Sequence, residues 1–353
     1  MAEISRDVAL YLALQSLPAF GLEAQAQIEF VKHRENVVFR AEDGSGAYAL
    51  RIHRRGHRTD AEVHTENAFM EAMRAEGLPV SEVMRTVSGD LFTSVADSEG
   101  RSYHVDVQRW VTDSAPLGDA GAAWLGGESP EPEHFEQLGD LCGRFQQASA
   151  RLGRIPGYSR RAWDLDGLVG EQPLWGDPRR LAQSADDRKA IDTALAVIRE
   201  QLQRVGTSPE VYGVIHADFT PDNVLISPRG LTMIDFDDFG EGWWLFDLAT
   251  VLFWYQRHPR AEEYRSALLQ GYERHLRIPQ QGHHMLEALV LARGLTYLGW
   301  AADRPNDETS AFLRAEVLPV LVQNCRAFVD AQPDETQDTT DDATEDTESE
   351  LSR

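Results

Sequence analysis

Four residues that could do chemistry stand close together in this chain. His216, Asp218 and Asn223 belong to one short stretch, His216-Ala217-Asp218-Phe219-Thr220-Pro221-Asp222-Asn223. Asp235 follows in Ile234-Asp235-Phe236-Asp237, after the apolar run Val224-Leu225-Ile226. Such residues can move a phosphoryl group. That reaction needs a carboxylate to orient and deprotonate an acceptor hydroxyl, and oxygen ligands to keep magnesium on the phosphates. Asp218 suits the first role. Asn223 and Asp235 suit the second, because magnesium takes hard oxygen ligands and keeps some of its water. A loop followed by a strand hairpin would bring all three to one face. His216 would brace the loop backbone without touching substrate. The plainer alternative is that all four merely cap turns.

The elements that must position them fall into two groups. Arg6–Leu17 has helical spacing and ends before Pro18. Ile28–Phe30, Asn36–Ala41 and Ala47–Ile52 read as strands, the last two joined by Glu42-Asp43-Gly44-Ser45-Gly46. A helix is expected over Ala61–Glu76, closed by Gly77. Leu91–Ala96 and Tyr103–Trp110 complete five strands, and a sheet with one helix beside it is an α+β lobe. Beyond Trp110 the pattern turns helical. Gly118–Pro132 reads as a mobile connection, and helices are expected over His134–Ala150, Ala185–Val205, Trp244–Gln256, Ala261–Leu276, Met285–Ala301 and Thr309–Ala331. A β-rich island interrupts them at Val214–Ile215, Val224–Ile226 and Thr232–Ile234. The expected units are a sheet lobe over 1–111, a helical lobe with the catalytic loop over 112–331, and an acidic tail over 332–353. The tail has too few apolar residues to offset the entropy of ordering.

His216 to Asn223, followed by Ile234-Asp235-Phe236-Asp237-Asp238, resembles the catalytic core of the aminoglycoside phosphotransferase/choline kinase superfamily. Its motif is H-x-D-x-x-x-x-N and then a strand ending in I-D-F/W/L, where protein kinases carry H-R-D-x-x-x-x-N and D-F-G. Asp247, in Phe246-Asp247-Leu248-Ala249, matches a family position that anchors the catalytic loop. The resemblance runs roughly from Ile28 to Phe328. It implies a two-lobed, protein-kinase-like α+β fold with a small antiparallel β-sheet N-lobe, a larger mostly helical C-lobe, and ATP in the cleft. Tyr48-Ala49-Leu50-Arg51-Ile52-His53-Arg54 resembles the third strand, which carries the residue on the α- and β-phosphates. Arg51 stands where most kinases have lysine, a departure shared with choline-kinase-like members, and a guanidinium can pair with phosphate bidentately. Glu66 is its implied partner, with Glu62 one turn earlier as the competitor. Gln108-Arg109-Trp110-Val111 looks like the hinge that meets the adenine edge through backbone groups, although Trp110 also reads as packing. The usual glycine-rich loop is absent from Val31-Lys32-His33-Arg34-Glu35-Asn36. Turn amides can still cap a phosphate, and the Glu35-Asn36 pair recurs in kinase-like small-molecule enzymes, so Asn36 is expected near the nucleotide. Gln146 stands where related sequences often carry histidine. The Glu35-Asn36 pair, the Arg51 strand and the Asp235 segment look nearest to the type II homoserine kinase, hydroxylysine kinase and stress response kinase A branches.

The resemblance implies ATP and Mg2+ as cofactors and a small molecule with a hydroxyl, such as an amino alcohol or amino acid, as acceptor. Trp163-Asp164-Leu165-Asp166 and Trp175-Gly176-Asp177 set aromatics beside acids, which suits a cationic or amino-bearing acceptor. Polar and aromatic groups from Arg293 to Trp300 could also shape its pocket; each cluster reads equally as core. Two other functions remain open: a protein Ser/Thr kinase of the stress-response type, and a nucleotide-binding regulator without catalysis.

Composition narrows the partners. The net charge is −24; ten acids and one base between Asp330 and Arg353 account for −9, leaving −15 for the rest. Such a surface repels nucleic acid and anionic membranes. No run approaches the roughly 20 apolar residues that span a bilayer, and the first residues have no secretion-signal pattern. Cys142 and Cys325 fit buried thiols, with a disulfide as the alternative. A cytoplasmic protein is expected.

Overall fold

The structure, a computed structural model, describes residues 4–278 and 280–332. Its first helix, α1 (Arg6–Ser16), starts at Ser5, whose hydroxyl accepts the Val8 N–H. Three antiparallel strands follow, β1 (Gln27–His33), β2 (Val37–Asp43) and β3 (Gly46–Ile52). Helix α2 (Asp60–Ala75) opens on a reciprocal cap between Thr59 and Glu62. Strands β4 (Val83–Met84), β5 (Thr93–Ala96) and β6 (Ser102–Arg109) complete the sheet, ordered β1-β2-β3-β6-β4, with β5 also on β6. The sheet thus has six strands, not five. Two residues of β4 are too few to carry an alternation. Val37, Phe39, Leu50, Ile52, Val105 and Val107 bury one sheet face against Ala9, Leu12 and Ala13 of α1.

The second part is mostly helical. Strand β7 (Ala115–Pro116) and helix α3 (Ala120–Trp124) lead into α4 (Pro132–Leu152), α5 (Leu165–Val169) and α6 (Ala185–Val205). Four short strands come next: β8 (Tyr212–Ile215), β9 (Val224–Ser227), β10 (Gly230–Met233) and β11 (Gly240–Trp243). They pair as β10-β9-β7 and β11-β8. Helices α7 (Leu245–Tyr255), α8 (Ala261–Tyr272), α9 (Gln280–Asp303), α10 (Glu308–Phe312) and α11 (Leu318–Asp330) finish the lobe. Its core reaches into the first part: Phe69, Met70 and Met73 of α2 belong to it, and Phe69 stacks on Phe239 at 4.7 Å.

Three expectations need correction. Gly118–Pro132 is not a loose connection, because α3 places Trp124 in the core, 1% exposed and stacked 5.3 Å from Phe253. Burial of an indole offsets the entropy of ordering that segment. The helix expected over Thr309–Ala331 is broken by a π-turn at Leu313–Val317. Pro319 lacks an N–H and its ring crowds the carbonyl four residues back, so the helical register widens just before it. Gln332, assigned to the tail, accepts a hydrogen bond from Gln201 at 2.7 Å and donates one to the Phe328 carbonyl at 2.8 Å. The rest of the expected tail, 333–353, lies outside the described residues. Both cysteines are buried and free. Among the described residues no helix is long and apolar enough to cross a membrane.

Candidate active site

The loop from His216 to Asn223 leaves β8 and is held from below by Asp247 in the first turn of α7. Its carboxylate accepts the N–H groups of His216 at 3.1 Å and Ala217 at 2.8 Å. The two bonds hold Ala217 at φ 65°, a left-handed conformation that a residue with a Cβ rarely adopts. Burial raises the Asp247 carboxyl above its ordinary range, against His216 and these amides. His216 Nε2–H donates to the Ile234 carbonyl at 3.0 Å, and since a carbonyl only accepts, this bond selects the tautomer. A turn over Pro221–Asn223 then brings Asn223 back to Asp218. The Asn223 amide donates to the Asp218 carbonyl at 3.0 Å and to its Oδ2 at 2.8 Å. Asn223 O accepts the Ile234 N–H at 3.0 Å, and Val224 pairs with Met233, so Asn223 and Asp235 lie at one end of the β9–β10 hairpin.

Sequence reasoning missed the other anchor of Asp218. Arg293 of α9 donates to Asp218 Oδ1. Its guanidinium is fully buried, 4.3 Å from the Trp175 ring centre and 4.2 Å from that of Tyr297, and it also donates to the Tyr297 hydroxyl at 2.8 Å. A basic residue directly after the apolar run Ala288-Leu289-Val290-Leu291-Ala292 of this helix was the available signal.

Asp235 sits at φ 64°, and Lys32 of β1 reaches its Oδ2 at 3.0 Å. Burial opposes ionisation of Asp235, but Lys32 and Arg51 outweigh it and hold the carboxyl below its ordinary range. Arg51 Nη2 lies 2.7 Å from Glu66. Glu62, the competitor, instead completes the cap of α2. Arg51 has a second partner that the sequence did not suggest: Asp106 of β6, bonded to Nε and Nη2 at 2.8 Å each. An acid flanked by Val105 and Val107 in a buried strand was the signal there. Burial opposes its ionisation as well, yet Arg51 and His53 hold Asp106 far below the usual carboxylate range. Arg51 Nη1 is buried with no hydrogen-bond partner among the described residues. Asn36 is buried in the β1–β2 turn, where its carbonyl accepts the Arg34 N–H at 3.2 Å. Gln108 is also buried, with its amide 3.6 Å from Met70 Sδ and its backbone paired on both sides. Trp110 donates its N–H to the Ala47 carbonyl at 2.9 Å and lies under Arg40. The structure therefore gathers Asp218, His216, Asn223, Asp235, Arg51 and Glu66 in one region, and sets Gln108 and Trp110 within and just beyond the sheet.

A cavity of ≈ 290 Å³ opens between the lobes, lined by Glu35, Arg54, Arg161, Trp175, Asp238 and Arg304 among others. It borders the loop that carries Asp218: Trp175 donates to Asp238 Oδ1 at 3.2 Å and stacks on Arg293, which bonds Asp218. Asp238 is pushed up to about 7 by burial and by the charges of Asp237 and Asp218, against the pull of Arg58. The acids expected beside an acceptor are placed otherwise. Asp164 and Asp177 cap α5 and the turn at Pro178–Leu181, while Asp166 pairs with Arg199 at 3.0 Å. Trp163 is 1% exposed in the core, its indole bonded to the Asp238 carbonyl at 2.9 Å. Local hydrogen bonds to the first amides of a helix hold such acids better than solvent does. Gln146 bonds Asp247 at 3.2 Å, the Trp244 carbonyl at 2.8 Å and the Tyr272 hydroxyl at 2.7 Å.

A family model described as the phosphotransferase enzyme family matches residues 27–284. The chain belongs to this phosphotransferase family. It is accordingly an enzyme with a kinase-like two-lobed fold, within the superfamily that the catalytic-loop motif resembles. Amicoumacin kinase of Bacillus subtilis (strain 168) is 23% identical over 261 residues, covering 70% of this chain and 71% of its own. A microcompartment-associated aminopropanol kinase has a similar structure, with a TM-score of 0.76 at 24% identity over 91% of this chain and 95% of its own. Amicoumacin kinase hAmiN, solved with AMP-PNP, Ca2+ and Ami, has a TM-score of 0.71 at 19% identity over 93% and 94%.

Proposed function

We propose that this phosphotransferase moves the γ-phosphate of ATP, with magnesium, to a hydroxyl of a small molecule, an amino alcohol or amino acid. The observation that carries the reading is the meeting of Asp218, Asn223 and Asp235 at one end of a hairpin, beneath a guanidinium with an orphaned nitrogen. Asp218 is the base: it takes the acceptor proton as the oxygen attacks. His216 and Asp247 shape its loop, and Arg293 fixes its second oxygen. Arg51, set by Glu66 and Asp106, offers its free Nη1 to a phosphate.

The donors fit magnesium. Asn223 commits its N–H to Asp218, which turns its carbonyl oxygen the other way, and Asp235 is ionised. Among the described residues no cluster of three or more His, Cys, Asp or Glu could hold a metal alone. This suits a cation that shares its coordination with phosphate oxygens and water. Bound there, magnesium would neutralise charge that builds on the phosphate oxygens.

The small-molecule acceptor is supported by the small size and mixed charge of the cavity and by relatives named for amicoumacin and aminopropanol. An ADP-release screen over amino alcohols, amino acids, sugars and aminoglycosides, with casein alongside, tests it. A hydroxyl-bearing small molecule should raise turnover far above hydrolysis. Turnover raised by casein alone would establish a protein kinase, and Mg-ATP binding with no turnover on any acceptor would establish a regulator.

A further inference from the structure

We propose that Lys32 is the phosphate-binding cation that stands in for the missing glycine-rich loop, and that it guards Asp235 until metal and nucleotide arrive together. This rests on the assignment of Asp235 and Arg51 to Mg-ATP given above.

The first ground is register. β1 pairs regularly with β2 from Gln27↔Glu42 to Phe30↔Phe39, then skips Val31, so that Lys32 opposes Val38 and His33 opposes Val37. A slip of one residue exchanges the two faces of a strand. Without this bulge Lys32 would oppose Val37, on the face buried under α1. With it, Lys32 joins the cross-strand row Val38, Arg51 and Asp106, on the other face of the sheet, and its ammonium reaches Asp235. The bulge residue, Val31, is 42% exposed.

The second ground is contact. Lys32 Nζ lies 3.0 Å from the proposed metal ligand Asp235. The turn just after it is held to the second lobe, because Glu35 accepts the Trp300 indole N–H at 3.1 Å and pairs with Arg304, as well as with Arg54 of the first lobe. The third ground is the backbone. One kind of anion nest alternates right-handed with left-handed residues. Among the described residues the positive-φ positions without glycine are Asp113, Ala217 and Asp235, none of them in this turn. With that kind of nest missing from the turn, a side chain takes a share of the phosphate contact, and the long flexible stem of lysine suits a short move from Asp235 to the phosphate oxygens. Where it pairs with Asp235, its charge competes with a divalent cation for the same carboxylate.

The test compares wild type, Lys32→Met and Lys32→Arg in two titrations: Mn2+ alone, followed by the electron paramagnetic resonance of the free ion, and a fluorescent ATP analogue with Mg2+. In Lys32→Met the nucleotide should weaken roughly tenfold, while Mn2+ alone binds tighter by about threefold or more, as expected when a competing positive charge is removed. Lys32→Arg should restore nucleotide affinity. Unchanged affinities in Lys32→Met, or loss of both together, overturn the proposal. Failure of the wild type to bind the analogue would instead sink the ATP reading itself. Matching melting temperatures of the three proteins exclude a folding defect.

Discussion

Asp218 shares its carboxylate between Asn223 and a fully buried arginine, so the proposed base is also part of the core electrostatics. Removing it leaves Arg293 buried without a counter-charge, and breaking such a pair costs about 3–5 kcal/mol. Asp218→Ala should therefore melt earlier as well as lose transfer. Asp218→Asn, which keeps an oxygen for Arg293, should lose about 10²–10⁴ in kcat while nucleotide affinity stays near wild type. Steady-state kinetics and nucleotide titration, read together, check this; full activity in Asp218→Asn would remove it as the base. Asp238 gives a second prediction. Its carboxyl, raised to about 7 by burial and by Asp237 and Asp218, ionises as pH climbs through neutrality and makes the cavity more negative. For a cationic acceptor, kcat/KM should rise through about pH 7, and the step should vanish in Asp238→Asn. A profile unchanged by that substitution would place the acceptor elsewhere.

The helices and strands were largely legible in the sequence, while their contacts were not. Spacing alone predicted α6, α7 and the β9–β10 hairpin, because apolar periodicity is local. It gave no hint that α4 and α8 cross at glycines. A Cβ on Gly139 would stand 2.0 Å from the Leu268 carbonyl oxygen, and one on Gly271 would stand 1.9 Å from that of Glu136. The close approach is thus reciprocal, and neither backbone can yield without parting the helices. Gly139→Ala should destabilise by about 1–3 kcal/mol or more, seen as a lower denaturant midpoint; a neutral result would mean that the helices part freely. Trp124 teaches the same lesson from the opposite side. Its neighbours Gly126, Gly127 and Pro130 read as a loop, yet the indole finds Phe253 and Trp254 only once α7 is in place.

Across the whole molecule, five aspartates form two groups with opposite pH behaviour. Asp106, Asp235 and Asp237 are depressed, so their stabilisation is present above their unfolded value of about 4 and fades as pH falls below it. Asp222, raised to about 6, and Asp238, raised to about 7, are protonated in the fold where the unfolded chain has already released its protons. Their stabilisation is full below about pH 4 and is lost as pH rises through these values. The enzyme should thus melt at a higher temperature near pH 5 than near pH 8, with a smaller difference in Asp238→Asn. Calorimetry in matched ionic strength decides it, and a higher melting temperature at pH 8 would contradict the burial and like charges described for Asp238. The amino-acid order by itself determined the fold class and the cluster His216, Asp218, Asn223 and Asp235, since one loop and the adjoining hairpin bring them together. Only the tertiary structure decided what surrounds that cluster. Arg51 meets Asp106 across 55 positions, Asp218 meets Arg293 across 75, and Lys32 meets Asp235 across 203. Contacts at such separations depend on strand register, a single bulge and the docking of one lobe on the other, none of which leaves a periodic trace in the residues concerned.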